Sequence, residues 1–305
     1  MAVTPFAIPA VSAPTTTRIT RADGVALALA THGDNEAPSV LFTHGFGQTC
    51  QAWESTAHVL AQAGYRSLLV DARGHGGSDW NPPHLAYSMQ QFVDDLDAVA
   101  DAASLPAGAA PVLVGASMGG LIGMFSAARA PARFRALVLV DITPRWEVDG
   151  VTRILDFMSA HPDGFADFEH AADAIAAYLP HRRARKSPEQ MRSLLVARAD
   201  GRLRWHWDPR LLNEIARGGE RYQTELVAAA QAVAMPTLLI SGGLSDLVSA
   251  HHVNEFMQLV PHAQHVQIAD ATHMVAGDRN DQFTATILAF LSNLAAAEAS
   301  TGASS

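Results

Sequence analysis

Val112-Leu113-Val114-Gly115-Ala116-Ser117-Met118-Gly119-Gly120 is the stretch on which the reading turns. The apolar residues read as a buried strand, and Met118–Ala130 reads as a helix. Between them lies the pattern G-x-S-x-G. A turn this tight leaves room only for very small side chains beside the serine, hence glycine on both sides. Ser117 is then expected at the C-terminal edge of a sheet, in front of the positive end of a helix dipole. A plain glycine-rich turn would show the same residues, but a strand before and a helix after are the context in which such a serine is presented for chemistry.

Working outward, the same rhythm recurs. Val40–Thr43, Ser67–Val70, Ala136–Val140, Thr237–Ile240 and His265–Ile268 are further short apolar runs. Each ends in small or polar residues, and Met89–Ala103 and Asp281–Ala297 read as helices between or after them. Continuous apolar strands suit burial on both faces, so the expectation is an α/β fold with a mostly parallel central sheet flanked by helices.

The alternation stops after Asp141. Residues 142–234 read as helical throughout, at Val151–Ser159, Ala171–Tyr178, Pro188–Arg198 and Leu211–Arg217. They hold 13 of the 21 basic and 13 of the 30 acidic residues, so the flanking parts carry the whole net charge of −9. This shift marks an inserted helical cap at 142–234 within a core domain of 15–141 and 235–297. The termini, 1–14 and 298–305, are rich in small and polar residues and are expected to be poorly ordered.

The acidic balance argues against a nucleic-acid partner, which needs a basic face. A single cysteine, Cys50, excludes an internal disulfide and suits a reducing compartment. No stretch reads as a bilayer span, and the N-terminus lacks the basic start and apolar run of a secretory signal. The expectation is therefore a cytoplasmic protein with no membrane partner; oligomeric state is not legible. No metal-binding or nucleotide-binding motif is present, so neither metal nor cofactor is expected.

Four further motifs accompany the elbow: His44-Gly45-Phe46-Gly47, Asp71-Ala72-Arg73-Gly74-His75-Gly76-Gly77-Ser78-Asp79, the loop at Ser241–Asp246 and the loop at Asp270–Met274. With them the chain, from about Arg18 to Leu294, resembles the α/β-hydrolase superfamily. It is most similar to the subgroup of esterases, cofactor-free perhydrolases, C–C bond hydrolases and epoxide-hydrolase-like proteins. The resemblance implies a serine hydrolase. Epoxide hydrolases and haloalkane dehalogenases of that group carry aspartate at the elbow, so Ser117 speaks against both activities. Asp71–Asp79 is implied to be structural.

A serine hydroxyl needs a base to take its proton. The implied order of partners is serine, acid, histidine. His273, in the loop after the last strand, is the expected base. Two carboxylates compete for the acid: Asp246, in the loop after Thr237–Ile240, and Asp141, at the end of Ala136–Val140. The reading takes Asp246, with Asp141 as the alternative or as a structural carboxylate at the start of the cap. The expected oxyanion donors are the N–H groups of Phe46 and Met118.

Trp146, Trp205 and Trp207, with Phe157 and Met158, make the cap rich in large apolar side chains. They are candidates for a substrate-binding wall above Ser117; packing of the cap on itself is the competing account. The basic run Arg182–Lys186 reads as a solvated helix end. The expected activity is hydrolysis of a small-molecule carboxylic ester through an acyl-enzyme on Ser117. The same residues would serve lactone, amide, thioester or C–C hydrolysis or peracid formation, and a hydrolase-fold receptor with little turnover is the reading from another class.

Overall fold

A computed structural model of the chain describes residues 14–103, 109–178, 187, 191–192, 194–213 and 219–302. Elements follow in the order β1 (Thr15–Thr20), β2 (Ala26–His32), β3 (Ser39–Thr43), a 3-10 turn (Cys50–Trp53), α1 (Glu54–Gln62), β4 (Arg66–Val70), α2 (Met89–Ala103), β5 (Val112–Ala116), α3 (Met118–Arg129) and β6 (Ala136–Val140). Then come α4 (Val148–Ser159), α5 (Phe168–Tyr178), β7 (Leu195–Ala197), β8 (Leu203–Trp205) and α6 (Gln223–Ala232). The chain closes with β9 (Thr237–Gly242), α7 (Ala250–Leu259), β10 (Gln264–Ile268), α8 (Val275–Asp278) and α9 (Asn280–Gly302).

One eight-stranded sheet carries the fold, in the order β1-β2-β4-β3-β5-β6-β9-β10. β2 is antiparallel to β1 and β4; every other pairing is parallel. Alternate residues of the central strands face opposite ways, as the period of two requires. Leu41, Leu68, Leu113 and Leu137 enter one core with Phe92 and Leu96 of α2 and Ile122 of α3. Val40, Phe42, Val114 and Val138 enter the other with Leu60 of α1 and Phe283, Ile287 and Phe290 of α9. All of these are buried, which is why the strands read as unbroken apolar runs.

β1 and β2 escape that reading. β1 is an edge strand of exposed threonines, and β2 alternates buried with half-buried positions. Two-sided burial is absent there, and so is its signal. α9 departs from expectation twice. It continues to Gly302, through residues expected to fall outside any element. Over Asn280–Ser300 it is also long and apolar enough to cross a membrane by length and composition, with a mean hydropathy of 1.2, although no such stretch was expected. Its large apolar residues pack against the sheet instead.

The segment between β6 and β9 is not helical throughout. β7 and β8 form an antiparallel ribbon, extended by a bridge from Phe165 to Leu203. Val196 and Ala197 thus lie in a strand where a helix over Pro188–Arg198 was expected. Much of the expected helix at Leu211–Arg217, the run Arg182–Lys186 and the N-terminal residues 1–13 lie outside the described residues. The segment is anchored to the sheet's C-terminal edge at two places. α4 lies so close to the loop after β9 that a side chain at Gly150 would strike the Asp246 carbonyl. Residues 205–208 reach the loops after β3 and β4: Asp208 N–H donates to Gly74 O at 2.9 Å, and Tyr87 Oη donates to the Asp208 carboxylate at 2.9 Å.

Candidate active site

Ser117 sits between β5 and α3 with φ 47° and ψ −120°. The glycines around it are there for space. A Cβ on Gly115 would meet the Gly119 carbonyl oxygen at 2.7 Å, and one on Gly119 would meet the Thr43 carbonyl at 2.6 Å. One on Gly120 would meet Ile142 Cγ2 at 2.5 Å. Helix α3 is thereby pressed onto β3, β5 and the chain after β6.

Asp141 stands one residue past β6, as Ser117 stands one residue past β5, and Ala116 pairs with Val140 in register. Asp141 is fully buried. Its carboxylate accepts three hydrogen bonds: from Gly242 N–H at 2.8 Å, from Ser245 Oγ at 2.5 Å and from His273 Nδ1 at 2.8 Å. Since a carboxylate only accepts, Nδ1 of His273 carries a proton, and Nε2 is the ring nitrogen that this bond leaves unengaged.

Asp246, expected as the acid, is not beside His273. It forms an ion pair with Arg153 of α4 at 2.9 Å, its side chain one-third exposed. The last residue of β9, Gly242, and Ser245 in the loop after it instead supply donors to the Asp141 carboxylate. Ser245 was missed by sequence reasoning. Asp141, kept as the alternative for its place at the end of Ala136–Val140, follows its strand just as Ser117 follows the neighbouring one.

The His273 loop is held from both sides. A Cβ on Gly242 would meet the Ala271 and Thr272 carbonyls at 2.5 Å, so the end of β9 and the loop after β10 are in contact. Asp278 of α8 accepts from Thr272 N–H at 3.0 Å and Oγ1 at 2.5 Å.

The loop after β3 lies against the serine: a Cβ on Gly45 would meet Ser117 Cβ at 3.2 Å. Its shape is fixed by Gln48, whose N–H donates to Gly45 O and whose Oε1 accepts from Gly45 N–H, each at 3.1 Å. Gly47 N–H donates to His75 Nε2 at 3.2 Å. Phe46 lies between these engaged residues. Met118 begins α3, where an N–H has no carbonyl one turn back. Phe46 thus lies one residue after Gly45 in the loop beside Ser117, and Met118 follows Ser117 at the start of α3.

Asp71–Asp79 is a scaffold for that loop. The Asp71 carboxylate accepts from Cys50 N–H at 2.6 Å and Gly77 N–H at 2.8 Å. Buried Arg73 pairs with both oxygens of Asp95, at 2.6 and 2.7 Å. Burial first, then the Asp71 charge, push the Cys50 thiol far above the usual range.

The three tryptophans part company. Trp207 packs on Phe46, ring centroids 5.2 Å apart. Trp205 lies inside the inserted segment, 5.8 Å from Phe157 and 5.0 Å from Phe165. Trp146 is buried in the core cluster that the segment shares with the sheet. Among the described residues no group of histidine, cysteine and carboxylate side chains is placed to hold a metal.

The family described as serine aminopeptidase, S33, matches residues 34–280. This chain is an α/β hydrolase of that family. It is 30% identical to the sn-1-specific diacylglycerol lipase ABHD11 of Mus musculus, over 85% of this chain and 82% of that protein. It is 31% identical to the 3-hydroxybutyrate-oligomer hydrolase of Cupriavidus necator, over 79% of this chain and 84% of that one. Among solved structures it resembles E-2-(acetamidomethylene)succinate hydrolase, with a TM-score of 0.78 and 25% identity over 92% of this chain and all of that one. An α/β hydrolase with ester-hydrolase relatives, the protein is an enzyme.

Proposed function

We propose that this α/β hydrolase cleaves a carboxylic ester through an acyl-enzyme on Ser117, with His273 as general base and Asp141 as the carboxylate that orients it. The observation that carries the reading is the 2.8 Å bond from His273 Nδ1 to fully buried Asp141, one strand away from a strained serine at the same register. His273 Nε2 takes the Ser117 hydroxyl proton as Oγ attacks the ester carbonyl. The carbonyl oxygen becomes an oxyanion, met by the N–H groups of Phe46 and Met118. The alcohol leaves with the proton from His273. Water, deprotonated by the same nitrogen, then attacks the acyl-enzyme and releases the acid.

The segment 142–234 is the cap in this reading. Its anchors on the loops after β3, β4 and β9 support a position over Ser117, and Trp207 on Phe46 supplies an apolar wall beside the oxyanion loop. A fluorophosphonate probe and a series of p-nitrophenyl esters test the proposal together. Ser117 should be labelled, and hydrolysis should continue after any burst. Labelling at another residue, or a serine that labels but never turns over any ester, lactone or amide, would overturn it.

A further inference from the structure

Three buried histidines, His44, His75 and His206, stand around the oxyanion loop, outside the group that touches the reacting bond. Their ring centroids are 5.2 Å (His44 to His75) and 6.0 Å (His75 to His206) apart. Every ring nitrogen bonds a backbone group, so each tautomer follows from its partners, because a carbonyl only accepts and an N–H only donates. His44 Nδ1 donates to Gly45 O at 2.8 Å, and its Nε2 accepts from Ala72 N–H at 3.0 Å. His75 Nε2 accepts from Gly47 N–H, and its Nδ1 donates to Arg73 O at 3.1 Å. His206 Nδ1 accepts from Gly76 N–H at 2.8 Å, and its Nε2 donates to Gly47 O at 3.2 Å.

Peptide units are rigid planes, and that turns these bonds into a linkage. Gly47 C=O and Gln48 N–H belong to one plane. Gln48 N–H donates to Gly45 O at 3.1 Å. Gly45 C=O and Phe46 N–H belong to one plane as well. From the His206 ring to the Phe46 N–H there are thus two planes joined by one hydrogen bond. Of the three histidines, only His206 comes from the inserted segment, next to Trp207, which packs on Phe46 itself.

We infer that His206 is a positioning residue for the oxyanion: braced by Gly76, it sets the Gly47–Gln48 plane and, through it, the direction of the Phe46 N–H. The cap would then complete the catalytic machinery as well as cover it. The inference rests on the acyl-enzyme reading above.

The test uses His206→Asn, His206→Gln and His206→Met in the full chain. Asparagine keeps an acceptor near the Nδ1 place but cannot reach Gly47. Glutamine keeps a donor near the Nε2 place. Methionine fills the space with neither. Rates are taken on p-nitrophenyl acetate and normalised to the serine titrated by a fluorophosphonate, so unfolded molecules drop out. Loss of an oxyanion donor typically costs about 100-fold or more, so misdirection of one is expected to lower kcat about 10-fold in the asparagine and methionine variants. KM should hold, and inhibition by a trifluoromethyl ketone should weaken by the same factor as kcat. Glutamine should restore most of the loss. Equal rates per titrated serine in wild type and all variants would overturn the inference, as would equal losses in asparagine and glutamine. A wild type that neither labels at Ser117 nor turns over overturns the acyl-enzyme reading instead.

Discussion

Ser117 and Asp141 are twins in the backbone: each lies one residue beyond adjacent, in-register strands, and they alone among the described non-glycine residues have positive φ, 47° and 48°. Each also hangs from the next strand by its own N–H, Ser117 to Val140 O at 3.2 Å and Asp141 to Ile240 O at 2.7 Å. The same sharp exit from a parallel strand therefore presents both the serine and the carboxylate at one edge. Such conformations cost on the order of 1–3 kcal/mol each and persist because the surroundings hold them.

Relief of that strain is measurable. Ser117→Gly should abolish ester hydrolysis while raising stability by about 1 kcal/mol, or about 2 °C in Tm, since glycine accepts positive φ without a Cβ penalty. A thermal melt showing a lower Tm than wild type would mean that the elbow is not strained.

The acid is tested by a pair of variants. Asp141→Asn should cut kcat by about three to four orders of magnitude, because the orienting carboxylate fixes the His273 tautomer and stabilises its charged form. Asp246→Asn should cost no more than a few-fold, because Asp246 only meets Arg153 in a partly exposed ion pair of the kind worth about 1 kcal/mol or less. The reverse order of damage, with both proteins folded, would reinstate Asp246.

The buried histidines make stability depend on pH. Burial lowers all three, His75 well below the usual range with help from its neighbours His44 and His206, and His206 down to about 4. Asp71 is the charged group facing His44 and His206, and it opposes the shift in both. Between about 6.5 and 4 the unfolded chain binds the proton that native His206 refuses. Stability is therefore complete above about pH 6.5 and falls as pH drops towards 4. The slope is about 1.4 kcal/mol per pH unit for such a group, so His206 alone accounts for roughly 2 kcal/mol by pH 5. Melts between pH 7.5 and 4.5 should show a shallower decline in His206→Gln; superimposable slopes would remove His206 from the account.

Trp207 and Trp205 should behave differently. Trp207→Ala, next to Phe46, should shift the preferred acyl chain length in an ester series. Trp205→Ala, packed on Phe157 and Phe165, should leave that profile in place and destabilise by about 3–5 kcal/mol, as loss of a buried tryptophan typically does. An unchanged profile in Trp207→Ala would place both residues in cap packing alone.

What the chain's sequence determined by itself was local. The strands β3 to β6 and β9 were legible because both their faces are covered, so each carries a run of buried apolar residues. The elbow was legible because Gly115, Gly119 and Gly120 face backbone or packed side chains too close for any Cβ. His273 followed from its place after the last strand. Only tertiary structure decided the rest. Asp141 and Asp246 both lie in order between serine and histidine, and nothing local distinguishes a carboxylate that points inward from one that points at Arg153. The difference lies in the Gly242 N–H, Ser245 Oγ and His273 Nδ1 converging on Asp141, from the end of β9 and the loops after β9 and β10. His206 was one histidine among fourteen. What singles it out is a hydrogen bond to Gly47, 159 residues away, and a contact of that range depends on how the strands are ordered in the sheet, which no short stretch of residues records.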